Sequence, residues 1–223
     1  MKKLLAVCLA LLFVVNIADG RPPRAKKAGE LDDGVYKDNS YGFQISIPEG
    51  WDGSVKKDDS YVRLVISKKE YGIPMQFQHA PAYTQVPKIT VIADTTSWPL
   101  VMFVDSIMSS EHSSDQKKSI LVETPILFGD FQQKRKGKMV VGDVEGMMVT
   151  GRQQYTIQVQ RAGSQSDKGD VVTDYKGGSV FFARNPLDNT LIVINFICED
   201  RYFEHLQDEV VGILNSFKFT EGE

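Results

Sequence analysis

Tyr41-Gly42-Phe43-Gln44-Ile45-Ser46-Ile47-Pro48-Glu49-Gly50-Trp51 is the stretch whose reading decides the fold. Phe43, Ile45 and Ile47 alternate with Gln44 and Ser46, the period-two pattern of a half-buried strand. Pro48 ends the pairing because it has no N–H to donate. Trp51 follows as an aromatic side chain that packs beneath a sheet. The stretch opens a folded domain and carries no chemistry of its own.

The remaining strand patterns lie C-terminal to it. Tyr61–Ser67, Met75 to His79 and Lys88 to Asp94 read as strands, and then the period changes. Leu100, Phe103, Val104, Ile107 and Met108 share one face at helical spacing, with Ser97 as the expected cap and Pro99 in the first turn. This helix is expected to end near Ser110. Strands resume at Ile120 to Val122, Ile126 to Phe131 and Met139 to Val141. The Gly142-Asp143 pair predicts a hairpin into Val144 to Thr150. Tyr155, Ile157 and Val159 alternate with polar residues. Arg161 to Gly178 is polar, rich in Gly, Ser and Asp, and is expected to be a long loop.

Ser179 to Arg184 and Thr190 to Ile197 are joined by Asn185-Pro186-Leu187-Asp188-Asn189, a hairpin turn. The Leu191–Ile197 run is almost continuously apolar, so it is expected to be a central strand covered on both faces. A last helix begins at Asp200, its expected cap, and turns Phe203, Leu206, Val210, Ile213 and Leu214 inward. Phe217-Lys218-Phe219 closes the domain. Strands, a helix, hairpin-linked strands and a second helix make an α+β fold with a mostly antiparallel sheet. A doubly covered central strand needs helices on both faces, which predicts a three-layer α/β/α sandwich.

The N-terminus reads as an export signal. Lys2 and Lys3 precede an apolar run of 12 residues, Leu4 to Val15. A relaxed spanning helix needs roughly 20 residues, so the run fits a signal-peptide core. Ala18-Asp19-Gly20 places small residues for cleavage before Arg21. The organisation expected is therefore a signal peptide over 1–20, a basic disordered leader over 21–33 and one domain over 34–220, in a periplasmic or secreted protein. The alternative for the signal is a retained anchor.

Loss of Lys2, Lys3 and Asp19 takes the net charge of -3 to about -4, which gives no footprint for nucleic acid. Membrane-surface contact has only the basic leader and one basic run to support it. Cys198 is the lone cysteine after residue 20, so no intramolecular disulfide can form in the mature chain. Its place at the end of an apolar run reads as a buried structural thiol.

Three places resemble the PsbP-like superfamily, named for an extrinsic protein of photosystem II. They are Tyr41-Gly42-Phe43 through Ile47-Pro48-Glu49-Gly50-Trp51, the mid-domain Val144-Glu145-Gly146, and Ile213-Leu214-Asn215-Ser216-Phe217-Lys218-Phe219. The likeness covers about Val35 to Phe219. It implies an α/β/α sandwich and a non-enzymatic role in binding or assembling other proteins. The Arg161–Gly178 segment is longer than the family pattern leads one to expect.

No phosphate-binding glycine loop, Gly-x-Ser-x-Gly elbow, His-Glu-x-x-His motif or Cys-x-x-Cys pair is present. His79, His112 and His205 have no local nucleophile and orienting acid around them, and no catalytic residue or cofactor is assigned. Glu199, Asp200, Glu204, Asp208 and Glu209 form an acidic cluster. Within it, His205 and Glu209 lie four apart on one helical face and could hold a divalent metal weakly. The competing reading is a solvated helix face.

Lys134-Arg135-Lys136-Gly137-Lys138 is expected to be a basic turn at a hairpin tip. It serves either solubility and edge protection or docking of an acidic partner. Lys134, Arg135, Lys136 and Lys138 are accordingly the partner-binding candidates. The leading function is an exported, non-catalytic domain that binds or helps assemble another extracytoplasmic protein. The alternatives are a small-ligand or metal-binding periplasmic protein and a hydrolase with an unrecognised site.

Overall fold

A computed structural model describes residues 26–71, 86–109, 131–159 and 170–220. Eleven strands form two antiparallel sheets among these residues. The smaller sheet has the order β1-β2-β3-β11, with β1 at Glu30–Asp32, β2 at Val35–Asp38, β3 at Phe43–Ser46 and β11 at Lys218–Phe219. The larger has seven strands in the order β4-β5-β6-β10-β9-β8-β7. These are β4 (Trp51–Val55), β5 (Val62–Lys68), β6 (Lys88–Thr95), β7 (Phe131–Val141), β8 (Val144–Val159), β9 (Asp170–Arg184) and β10 (Thr190–Glu199). The helices are α1 (Leu100–Met108) and α2 (Asp200–Asn215). The α+β class expected from the sequence is the one observed, with a second sheet added.

The opening stretch supplies that second sheet. β3 pairs with β2 and β11, while Trp51 begins β4 on the edge of the large sheet. The switch is a tight turn closed by the Trp51 N–H donating to the Pro48 carbonyl at 3.2 Å. Gly50 sits at φ +83° in it, where an L side chain is strained. Period-two reasoning found β3 and missed β4, because Asp52, Gly53 and Ser54 break the apolar alternation.

β10 is buried along its whole length, as the apolar run predicts. Leu191 and Val193 face one side with Val180 and Phe182, and there they pack with Phe103, Val104 and Ile107 of α1. Ile192, Ile194, Phe196 and Cys198 face the other side with Phe181 and Ala183. Leu206, Val210, Ile213 and Leu214 of α2 cover that second side, together with Tyr36, Phe43 and Ile45 of the small sheet. Each fully buried side chain of this kind contributes about 1.5–3 kcal/mol relative to exposure.

Several expectations are corrected. Ser97 does not cap α1: Pro99 holds the cap position, and the Trp98 N–H donates to Thr96 Oγ1 at 3.2 Å. Asp200 is not the cap of α2 but lies in its first turn, where its carboxylate accepts from Arg152 at 3.1 Å. The loop expected over Arg161 to Gly178 is strand from Asp170 onward, and β8 and β9 stay paired out to Val159 and Asp170.

Residues 26–33 of the expected leader are built into the domain. The Lys26 and Ala28 N–H groups donate to Asp59 and Asp58 at 2.6 and 2.5 Å, and Glu30 to Asp32 pair with β2. The strands expected at Met75 to His79 and Ile120 to Val122 lie outside the described residues, as does 126–130 of the next.

A buried ion pair joins the two sheets. Asp38 and Arg63 meet at 2.7 Å with side chains 0% and 1% exposed. Asp38 also accepts the Tyr36 hydroxyl at 2.8 Å and the N–H groups of Ser40 and Tyr41. Arg63 donates further to the carbonyls of Ser60 and Lys27 and stands over the Tyr41 ring.

Candidate partner-docking face

The basic run is not a turn. Lys134, Arg135, Lys136 and Lys138 lie within β7, the outermost strand of the large sheet. Its register with β8 slips between Gln133 and Arg135, at Lys134, and is continuous from Arg135 to Val141. The hairpin tip is the Gly142-Asp143 pair instead, with Gly142 at φ +56°. The Gly142 N–H donates to the side-chain oxygen of Asn215, which ties this tip to the end of α2. The run reads as a turn because exposed positions of an edge strand accept cations on successive residues.

Alternation along β7 splits the charges between the two faces of the sheet. Arg135, Gly137 and Met139 stand opposite Thr150, Met148 and Gly146, on the α2 side. Lys136 and Lys138 stand opposite Val149 and Met147, on the α1 side. There Lys136 meets Asp105 of α1 at 2.5 Å. Among the described residues, Arg135 and Lys138 are exposed and in no ion pair.

Each face has an apolar hollow beside this edge. On the α2 side a hollow of about 240 Å³ is walled by Met139, Met148, Phe196, Phe203, Val210 and Leu214. Arg135, Gly137 and Lys138 form its rim along β7, and Thr150 and Ser179 supply hydroxyls. A Cβ placed on Gly137 would meet nothing within 4 Å. On the α1 side a hollow of about 400 Å³ lies among Leu100, Val101, Val140 and Met147. Val140 is 60% exposed there, with Val101 also on the surface. Gly137 and the two methionines carried no motif, and only the period-two assignment of this run could have pointed to them.

The metal candidates resolve differently. His205 and Glu209 are both exposed on α2. Glu209 accepts from Trp51 Nε1 at 2.8 Å and from Lys68 Nζ at 2.5 Å. The Lys68 ammonium holds its carboxyl below the usual range, against the pull of burial and with help from Trp51. Among the described residues no group of three or more His, Cys, Asp or Glu gathers to hold a metal. His79 and His112 lie outside the described residues. Cys198 is buried, its thiol bonds the Glu199 carbonyl at 3.3 Å, and burial with Glu199 and Asp200 pushes its pKa up.

No family model matches the chain, and no curated protein does. Solved structures do. LpqN of Mycobacterium tuberculosis, described as involved in cell envelope biogenesis, aligns over 89% of this chain and 92% of its own, with TM-score 0.48 and 12% identity. Cyanobacterial PsbP from Synechocystis aligns over 90% and 97%, with TM-score 0.45 and 14% identity. A Bacteroides thetaiotaomicron protein aligns over 88% and 49%, with TM-score 0.37 and 8% identity.

Proposed function

We propose that the chain is an exported, non-catalytic domain that binds or helps assemble another extracytoplasmic protein through the outer edge of β7. One observation carries the reading. β7 is a long edge strand with cations at Arg135 and Lys138 and an apolar hollow on each face. Export rests on the basic n-region and the Leu4–Val15 run. Among the described residues no helix is long and apolar enough to cross a membrane.

A catalytic reading has little support among the described residues. His205 stands exposed on a helix, and the Cys198 thiol is buried and hard to ionise. The hollows are lined mainly by apolar side chains, which suits binding. A metal at His205 and Glu209 would have to displace the Lys68 ammonium from Glu209.

Site-specific photo-crosslinking in the native compartment tests the proposal. A photoreactive residue at Val140 should give a defined protein adduct that Arg135→Glu removes. The same probe at exposed Lys56 should not give it. An identical pattern from both positions, or no adduct from Val140, would refute docking at this edge.

A further inference from the structure

β7 has no strand on its outer side among the described residues, so half of its main-chain polar groups point outward there. A strand added alongside would send alternate side chains to the two faces. Its length is bounded by the register slip beyond Arg135 and by the hairpin at Gly142, which leaves Arg135 to Val141 as the regular edge.

The α2 face of that edge is uneven in a way that selects a side chain. Arg135 and Met139 are large, and Gly137 between them is empty, with open space above its Cα. The hollow behind it is about 240 Å³ and apolar-walled. Since about 150 Å³ already accommodates a benzene ring, one bulky apolar side chain fits it. The flanking positions meet Arg135 on the same face and Lys138 on the other, and neither cation is ion-paired among the described residues. Acidic residues suit those positions.

A second copy of β7 does not. Antiparallel self-pairing over Arg135 to Val141 would set Lys138 directly against Lys138 of the other chain, with Lys136 diagonal to it, and like charges across a ladder destabilise it.

We propose that the outer edge of β7 takes an extended acidic segment of a partner as an added strand, with one bulky apolar side chain seated over Gly137 in the hollow beneath α2. This rests on the docking reading above and names the chemistry of the partner. The segment is read by charge for its general character and by the Gly137 gap for its register.

The test uses the exported protein and three fluorescent peptides of about seven residues, the length of the regular edge. One is acidic with a central phenylalanine, the second has alanine at that place, and the third keeps the phenylalanine among lysines. Anisotropy should show binding of the first, a loss of about tenfold or more for the second, and no binding of the third. Gly137→Leu is the decisive variant. The space above Gly137 is open, so the melting temperature should hold while affinity for the first peptide falls about tenfold or more.

Equal binding of the first two peptides, or full affinity in Gly137→Leu, overturns the anchor. So does failure of the first peptide to bind, or concentration-dependent dimerisation that the variant abolishes. Crosslinks from Val140 that persist in Gly137→Leu would leave the docking face standing while the anchor fails. Their absence from the unaltered protein as well removes both.

Discussion

Asp38→Asn should be one of the most damaging isosteric changes in this protein. Asp38 is 0% exposed, and its two oxygens take four donors: Arg63 Nε, the Tyr36 hydroxyl, and the N–H groups of Ser40 and Tyr41. Asparagine keeps the shape and one acceptor, but it aims an NH₂ at donors on the other side. It also leaves the Arg63 guanidinium buried without a counter-charge. Breaking one partner of a buried pair costs about 3–5 kcal/mol. For a domain of this size each kcal/mol moves the melting temperature by about 2–4 °C, so a fall of roughly 10 °C is expected.

Circular-dichroism melts and urea titrations measure it, with an unchanged urea slope showing that the unfolded state is unaltered. The double variant Asp38→Leu with Arg63→Met should regain part of the loss, because it removes both buried charges. Recovery stays partial, since the Tyr36 hydroxyl then lacks its acceptor. A melting temperature within about 2 °C of the parent for Asp38→Asn would show that water reaches the pair and would refute the expected loss.

Three further outcomes are expected. Glu209 has a folded-state pKa below its ordinary value, so its contribution to stability is present above the unfolded carboxyl value of about 4.3 and is lost as pH falls through the folded one. The stability gap between the parent and Glu209→Gln should therefore be open at pH 7 and closed in strong acid, as urea titrations across pH would show. Cys198 should resist a thiol-reactive disulfide reagent at pH 8 in the native protein and react fully in denaturant, which absorbance of the released thiolate reports. Gly142→Ala should cost about 2 kcal/mol by urea titration, since a left-handed L residue is strained and the new Cβ would lie 2.9 Å from the Asn215 carbonyl.

Legibility in the sequence followed burial. Leu191 to Ile197, with both faces covered, read correctly as a central strand because the run is apolar at every position but Asn195. The inward faces of α1 and α2 read correctly for the same reason, from helical spacing alone. The basic run of β7 was misread as a turn because Arg135, Lys136 and Lys138 stand exposed on an edge strand and break no apolar pattern there. The Asp170–Gly178 half of the expected loop failed because its polar residues belong to a strand whose pairing with β8 comes from elsewhere in the chain. Caps misread by a residue or two are an ordinary consequence of local rules that tertiary contacts override, as when Arg152 takes Asp200.

By itself the sequence determined the α+β class, the buried central strand and the inward faces of both helices. All of these are properties of residues close together in the chain. Only the tertiary structure decided that the Tyr41–Trp51 stretch divides between two sheets at the Pro48–Trp51 turn. It alone placed the basic run on an open edge beside a hollow, because strand order and the approach of α2 to Gly137 depend on contacts far apart in sequence. Burial is written locally as pattern, whereas a binding face is made by which distant elements come to lie side by side.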